Sequence, residues 1–181
     1  MLVKSASANS AQFQVQGLNH FAWRCKDAEQ TRAFYEDLLG LPLAHTVLED
    51  AVPSTGEACA FAHVFFRMGD GSYIAFFDLG DDKPAIPDPA TPAWVNHLSL
   101  EVKSESDLTA AKERLQRAGV EVLGVVDHHW LKSIYFFDPN GIRLELSWRA
   151  LGKAYMDECE RQAHSRLAQW TQSKLAAKPT E

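Results

Sequence analysis

Two stretches of the chain, GLNHFAWRC (residues 17–25) and WVNHLSLEV (residues 94–102), alternate apolar and polar residues as half-buried strands do. Each carries an Asn-His pair, Asn19-His20 and Asn96-His97, seventy-seven positions apart. Such a repeat constrains architecture more than any single-element propensity, because each copy must bury its apolar face in the same way. The surrounding sequence follows the duplication. From Gly17 the order reads strand, helix and three strands: LNHFAWRC, DAEQTRAFYEDLLG, LAHTVLE, FAHVFFRM and SYIAFFDL. The second copy gives VNHLSLEV, SESDLTAAKERLQRAG, VEVLGVVD, KSIYFFD and IRLELSW. Asp27 and Ser104 are predicted to cap the two helices, and Gly40 and Gly119 to take positive φ at their ends. The pattern predicts an α+β fold of two paired βαβββ modules.

The copies also differ. The turn glycines Gly71 and Gly141 are offset by 70 positions against 79 for Gly40 and Gly119, so the first copy holds about nine extra residues between its second and third strands. That stretch, EDAVPSTGEACA (residues 49–60), is predicted as a lid. The expected organisation is a flexible tail over 1–16, a first module over 17–78, a linker over 79–93, a second module over 94–148, and a helix and tail over 149–181. The linker holds four of the eight prolines, Pro84, Pro87, Pro89 and Pro92, which makes it semi-rigid. In the last segment Tyr155, Cys159, Ala163, Leu167 and Trp170 recur at helical spacing. That stripe can bury against a sheet or against a second copy of the chain, the latter giving a homodimer.

Charge narrows the partners. The net charge is −6 and the basic residues form no stripe, which argues against nucleic acid. No run reaches eighteen apolar residues, and the opening lacks a signal-peptide core, so no membrane association is expected. Three scattered cysteines, Cys25, Cys59 and Cys159, supply neither a disulfide framework nor paired zinc-ligand spacing. These features predict a cytoplasmic protein acting on small molecules.

Alternation sets the direction of the paired histidines. His20, Ala22 and Arg24 share one face while Phe21, Trp23 and Cys25 take the helix-packed face; His97, Ser99 and Glu101 likewise oppose Leu98, Leu100 and Val102. In the last strand Leu144 and Leu146 join the core, leaving Arg143, Glu145 and Ser147 on the histidine face. Curling of the two sheets toward each other would bring His20, His97 and Glu145 together. Two neutral imidazoles and a carboxylate hold Fe(II) with open positions, and Mn(II), Ni(II) and Zn(II) use similar sets. Read separately, each histidine is a hydrogen-bonded core residue; the duplication and the matching carboxylate favour a metal site.

The paired units, the phrase FYEDLLGLPL (residues 34–43) and the ending SIYFFDPNGIRLELS (residues 133–147) resemble the vicinal oxygen chelate superfamily, which includes glyoxalase I, bleomycin and fosfomycin resistance proteins and extradiol dioxygenases. The resemblance covers about Gly17 to Ser147. It implies that the modules pair into an open barrel around a metal held by His20, His97 and Glu145. Ala75 stands where Glu145 falls in the first copy, a position at which glyoxalase I usually has a carboxylate. The remaining set is that of extradiol dioxygenases and of some fosfomycin-modifying transferases, and Tyr135, ten residues before Glu145, matches a tyrosine that extradiol enzymes often carry. Typical extradiol enzymes have four such units, and this chain has two.

The resemblance implies an oxidoreductase in which Fe(II) binds a catechol-like or enediol substrate and O2 is the co-substrate. Tyr135 would bond the substrate, with His128, His129 or His63 as acid or base. Phe65, Tyr73 and Phe77 share the histidine face and are predicted to line it for a flat substrate. A redox-neutral lyase or isomerase, a fosfomycin-type transferase and a non-catalytic binding protein are the alternatives. His45 and His164 have no support beyond residue type, Arg24 and Arg143 are expected to reach solvent from strand ends, and the acidic turn at Asp81 and Asp82 is expected to be solvated.

Overall fold

A computed structural model describes residues 15–85 and 89–176, so most of the predicted N-terminal tail lies outside the described residues. The chain divides into two units, the first ending at Ala85 and the second following it. The first contains β1 (His20–Cys25), α1 (Ala28–Arg32), β2 (Leu43–Ala51), β3 (Ala58–Arg67) and β4 (Tyr73–Asp78). The second contains β5 (Leu98–Glu101), α2 (Glu105–Arg117), β6 (Leu123–Asp127), β7 (Leu131–Phe137), β8 (Arg143–Arg149) and α3 (Lys153–Ala176). Each βαβββ module forms one mixed four-stranded sheet, ordered β1-β4-β3-β2 and β5-β8-β7-β6, with the first strand parallel to the last. The α+β class and the duplicated module are as the sequence indicates.

The duplication holds down to register. Phe66 faces Ile74 and Val64 faces Phe76 in the first sheet; Phe136 faces Leu144 and Ile134 faces Leu146 in the second. All eight are buried. In the first unit Tyr35 completes this layer, with its ring 5.4 Å from that of Phe66 and 4.9 Å from that of Phe76. In the second, Leu108 and Leu115, seven positions apart and so on one face of α2, are almost completely buried. Burial of this one face fixes which residues point the other way.

Both predicted caps form. The Asp27 carboxylate accepts the Gln30 amide at 2.6 Å, and Ser104 Oγ accepts the Asp107 amide at 3.1 Å. Gly40 and Gly119 take φ of 78° and 80°. Ser104→Ala removes an acceptor from an otherwise unpaired helix N–H and should cost about 1 kcal/mol. A urea titration checks this; an unchanged midpoint would show that water replaces the cap without loss.

Three expectations need correction. The first helix is not uniform: α1 gives way to a π-helical segment, Ala33–Leu38. Its wider winding lets the neighbours Phe34 and Tyr35 both be buried. The residues of the predicted lid pair with each other, so the flanking strands run further than the sequence suggests. β2 runs to Ala51 opposite Ala58, and the Val52 amide donates to the Glu57 carbonyl at 2.8 Å, closing a long hairpin over a short turn. The strand containing His97 is also shorter than its alternation suggests, starting at Leu98. The segment before it turns, with the Val95 amide donating to the Pro92 carbonyl at 2.9 Å.

The C-terminal segment is the predicted helix, α3, but Leu167 and Trp170 on its stripe remain exposed. Among the described residues, no helix is long and apolar enough to cross a membrane.

Candidate functional site

Because the helix-facing positions are committed to the core, the opposite faces carry the chemistry. Pairing makes the equivalences explicit. Ala22 and Phe65 flank Ala75 in the first sheet, and Ser99 and Tyr135 flank Glu145 in the second. One more rung along, His63 faces Phe77 and Ser133 faces Ser147. Ala75 is thus the positional twin of Glu145, as the aligned sequences imply.

In the second unit four side chains form a connected path. His97 Nδ1 lies 3.0 Å from the Val95 carbonyl oxygen. A carbonyl only accepts, so Nδ1 is the protonated nitrogen. His97 Nε2 then lies 3.1 Å from Glu145 Oε2. In the neutral ring this sets a nitrogen lone pair against a carboxylate, and either a proton or a metal ion on Nε2 would join the two. Glu145 Oε1 accepts from the Tyr135 hydroxyl at 2.8 Å. That hydroxyl has one proton and has given it to Glu145, so its second contact, 2.7 Å to His128 Nε2, makes His128 the donor.

Glu145 is only 5% exposed. Burial opposes its ionisation, but hydrogen bonding from Ser133, Tyr135, Ser99 and Ser147 outweighs burial and keeps its carboxyl below the usual range. The three serines are themselves linked, with Ser147 Oγ 2.8 Å from Ser99 Oγ and 3.2 Å from Ser133 Oγ. Burial first, and then Glu145, pushes the Tyr135 hydroxyl up to about 12. It therefore keeps its proton near neutrality.

The first unit has its own imidazole on the corresponding strand face. His20 Nδ1 lies 2.7 Å from Asn19 Oδ1, which again assigns the proton to Nδ1 and frees Nε2. An oxygen acceptor on Nδ1 is the usual device for orienting a metal-binding imidazole. In tautomer and charge His97 and Glu145 of the second unit, and His20 of the first, are each side chains of a kind that binds a divalent cation. Among the described residues, no three His, Cys, Asp or Glu side chains form a group that could hold a metal ion.

Near His20, the His63 ring stacks on Phe77 with centroids 3.6 Å apart and lies 4.1 Å from the Phe65 ring. Its Nε2 is buried with no hydrogen-bond partner. Burial first, and then the neighbouring His20 and His45, pushes it down to about 4. Since the group titrates near 6.5 when unfolded, the unfolded chain binds more protons between about pH 6.5 and pH 4, and folded-state stability must fall as pH falls through that window. His63→Phe should flatten this part of a plot of urea midpoint against pH. Equal slopes in the two proteins would assign the pH dependence to other groups.

The remaining predicted residues separate. Phe77 joins His63 on the wall of a cavity of about 500 Å3, while Tyr73 meets Phe65 edge-on at 6.1 Å. His129 sits in a left-handed turn at φ 78°, its amide donating to Asp127 Oδ1 at 2.6 Å, whereas its neighbour His128 reaches Tyr135. The two arginines do not simply reach solvent. Arg24 pairs with Asp81 and donates to the Lys83 carbonyl at 2.9 Å, so the acidic turn is tied to β1. Arg143 lies 4.3 Å above the Tyr135 ring while donating to the Trp94 carbonyl at 2.7 Å. Alternation places Ser99 and Ser147 on the face of Glu145, but sequence reasoning gives them no role and does not single out Ser133.

Comparison with known proteins agrees with this picture at the level of family. The model of the Glyoxalase/Bleomycin resistance protein/Dioxygenase superfamily matches residues 17–146. Biphenyl-2,3-diol 1,2-dioxygenase of Paraburkholderia xenovorans (strain LB400) is 28% identical over 137 residues, covering 75% of this chain and 42% of the dioxygenase. The chain thus spans less than half the length of that relative. The 2-epi-5-epi-valiolone epimerase of an Actinomyces species is 25% identical over 178 residues, covering 88% of this chain and 94% of the epimerase. Among solved structures, the fosfomycin resistance protein FosX of Listeria monocytogenes, complexed with Mn(II) and sulfate, superimposes with a TM-score of 0.55 at 20% identity, covering 76% of this chain and 96% of FosX.

Proposed function

The chain belongs to the Glyoxalase/Bleomycin resistance protein/Dioxygenase superfamily, the vicinal oxygen chelate proteins, and from that premise we propose that it is an extradiol-type dioxygenase of a catechol-like or enediol substrate. In this reading His20, His97 and Glu145, drawn from both units, hold Fe(II). The observation that carries it is the path from His128 through Tyr135 and Glu145 to His97. When bound, Fe(II) supplies Lewis acidity that lowers the pKa of a diol and the redox capacity to couple that diol to O2.

The protein's own groups do the rest. The acceptors on Nδ1 of His20 and His97 keep both Nε2 atoms as lone-pair donors. The serine cluster, with Tyr135, favours the ionised form of Glu145. Tyr135 stays protonated and presents its hydroxyl beside Glu145, where it orients a substrate oxygen. His128 donates to that hydroxyl and is the member of the tandem pair that carries a proton to it; His129, held in its turn, is the weaker candidate. His63 is neutral at pH 7 and serves as the acid or base group contributed by the first unit.

A redox-neutral reaction is the second reading. It is favoured by the similarity to an epimerase over nearly that protein's whole length, and it would use the same Lewis acidity with Mn(II), Ni(II) or Zn(II) to move a proton through an enediolate. Anaerobic loading with Fe(II), followed by oxygen uptake with a panel of catechols and absorbance for a yellow ring-cleavage product, separates the two. Oxygen uptake with iron is expected. No uptake with iron, together with turnover of a thiohemiacetal or epimerisable ketone by the Ni(II) or Zn(II) protein, would overturn the dioxygenase reading.

A further inference from the structure

The hairpin extension that distinguishes the first copy from the second builds a cavity. Its floor is Phe61, His63 and Phe77 and its apolar walls include Val47, Val52 and Leu79, enclosing about 500 Å3. That volume is ordinary for a small-molecule pocket. Val52, Pro53, Ser54 and Glu57 come from the tip of the extension, which the bond from the Val52 amide to the Glu57 carbonyl and a second, 2.8 Å, from the Gly56 amide to the Val52 carbonyl hold shut as a turn. The wall is therefore preformed.

Its chemistry is selective. Phe61 meets Phe77 edge-on at 5.4 Å, and His63 stacks on the other side of the floor, so the surface offers ring faces and edges to a flat group. Glu49 and Glu57 also line it, and among its described lining residues none is Lys or Arg. An anion entering here would lose its hydration beside two like charges with no cation to meet it. His63 contributes its ring to the lining, while its Nε2 is buried and unpartnered.

We propose that this cavity is a specificity pocket created by the β2–β3 extension, which takes an uncharged or cationic ring system of about two fused rings and rejects carboxylates and phosphonates. The His20 ring lies 6.0 Å from that of His63, so on the reading of His20 as a metal ligand the reacting end of the substrate sits beside this pocket. Binding in the pocket itself does not depend on that reading.

The test uses the full chain without added metal and three probes of one shape, 2-naphthol, 2-naphthylmethylamine and 2-naphthoate, titrated by calorimetry at pH 7.5. The alcohol and the amine are expected to bind at least about tenfold more tightly than the carboxylate. Val52→Trp, which fills the cavity from the turn, should weaken 2-naphthol at least about tenfold while leaving the circular dichroism spectrum and the melting temperature close to wild type. Replacing Glu49 and Glu57 together by Lys should reverse the order of alcohol and carboxylate. Absence of 2-naphthol binding, equal binding of alcohol and carboxylate by the wild type, or no effect of Val52→Trp would each overturn the pocket. Since metal is left out, failed oxygen chemistry would not touch this result. Conversely, oxygen uptake with unsubstituted catechol would stand even if the three probes failed to discriminate.

Discussion

His97→Ala is expected to reduce bound iron after anaerobic loading and desalting from roughly one per chain to background, and to lower turnover by at least about a hundredfold, because losing a ligand outweighs the 10- to 100-fold typical of losing a ligand's supporting contact. The reasoning starts from the pair itself. His97 Nε2 and Glu145 Oε2 stand 3.1 Å apart with the imidazole proton committed to Val95, so in the proposed site both groups would hold the cation and removing either would leave the other poorly compensated. His20→Ala should give the same loss although His20 lies in the other unit, and His164→Ala on α3 should give none. Iron retained by His97→Ala at the wild-type level sinks the ligand set. Iron lost by His97→Ala but retained by His20→Ala would restrict the metal to the second unit.

Much of this arrangement is legible in the amino-acid order because two constraints act on the same strands. Phe66, Ile74, Phe136 and Leu144 must face their helices to be buried, and a two-residue period then sends His20, Ala75, Tyr135 and Glu145 to the other face without further choice. Internal duplication doubles the information, since an equivalence inferred in one copy can be read in the other. What was not legible are features set by competition between neighbouring segments. Nothing in AFYEDL announces π-helical winding, which is settled by the fit of Phe34 and Tyr35 against a sheet assembled from distant residues. The stretch from Glu49 to Ala60 contains Pro53, Gly56 and three acids, so it reads as an inserted lid. Only the opportunity to continue pairing beyond Glu49 turns it into a hairpin.

The same competition explains the surface arginines. A strand-end arginine reaches water unless an aromatic face or a carbonyl lies within range of its flexible stem, and distance along the chain does not reveal either. Arg143 finds Tyr135, opposite Glu145 on the adjacent strand, and the Trp94 carbonyl forty-nine residues away. Its charge lies over the Tyr135 ring and, as a lesser influence, opposes the rise of that hydroxyl caused by burial and Glu145. Local sequence thus specifies which groups face the site, and tertiary pairing specifies how each one is tuned.

Tyr135→Phe separates tuning from ligation. The phenylalanine ring keeps the packing and the stack with Arg143 and deletes only a hydroxyl that donates to Glu145 Oε1 at 2.8 Å and accepts from His128 Nε2 at 2.7 Å. Glu145 retains its serine bonds, so iron content should stay near wild type. Turnover should fall about a hundredfold, equivalent to about 2.7 kcal/mol of transition-state stabilisation, which is within the range for losing a positioned proton-transfer group. If the hydroxyl and His128 act as one relay, His128→Ala should produce a comparable loss and the double variant should be little worse than either single one, because members of a unit do not contribute additively. A merely structural tyrosine predicts otherwise: kcat would change less than about threefold, or the two losses would multiply. Measuring iron content alongside kcat in all three variants decides between these cases, since a relay lost with metal retained differs from a centre that has come apart.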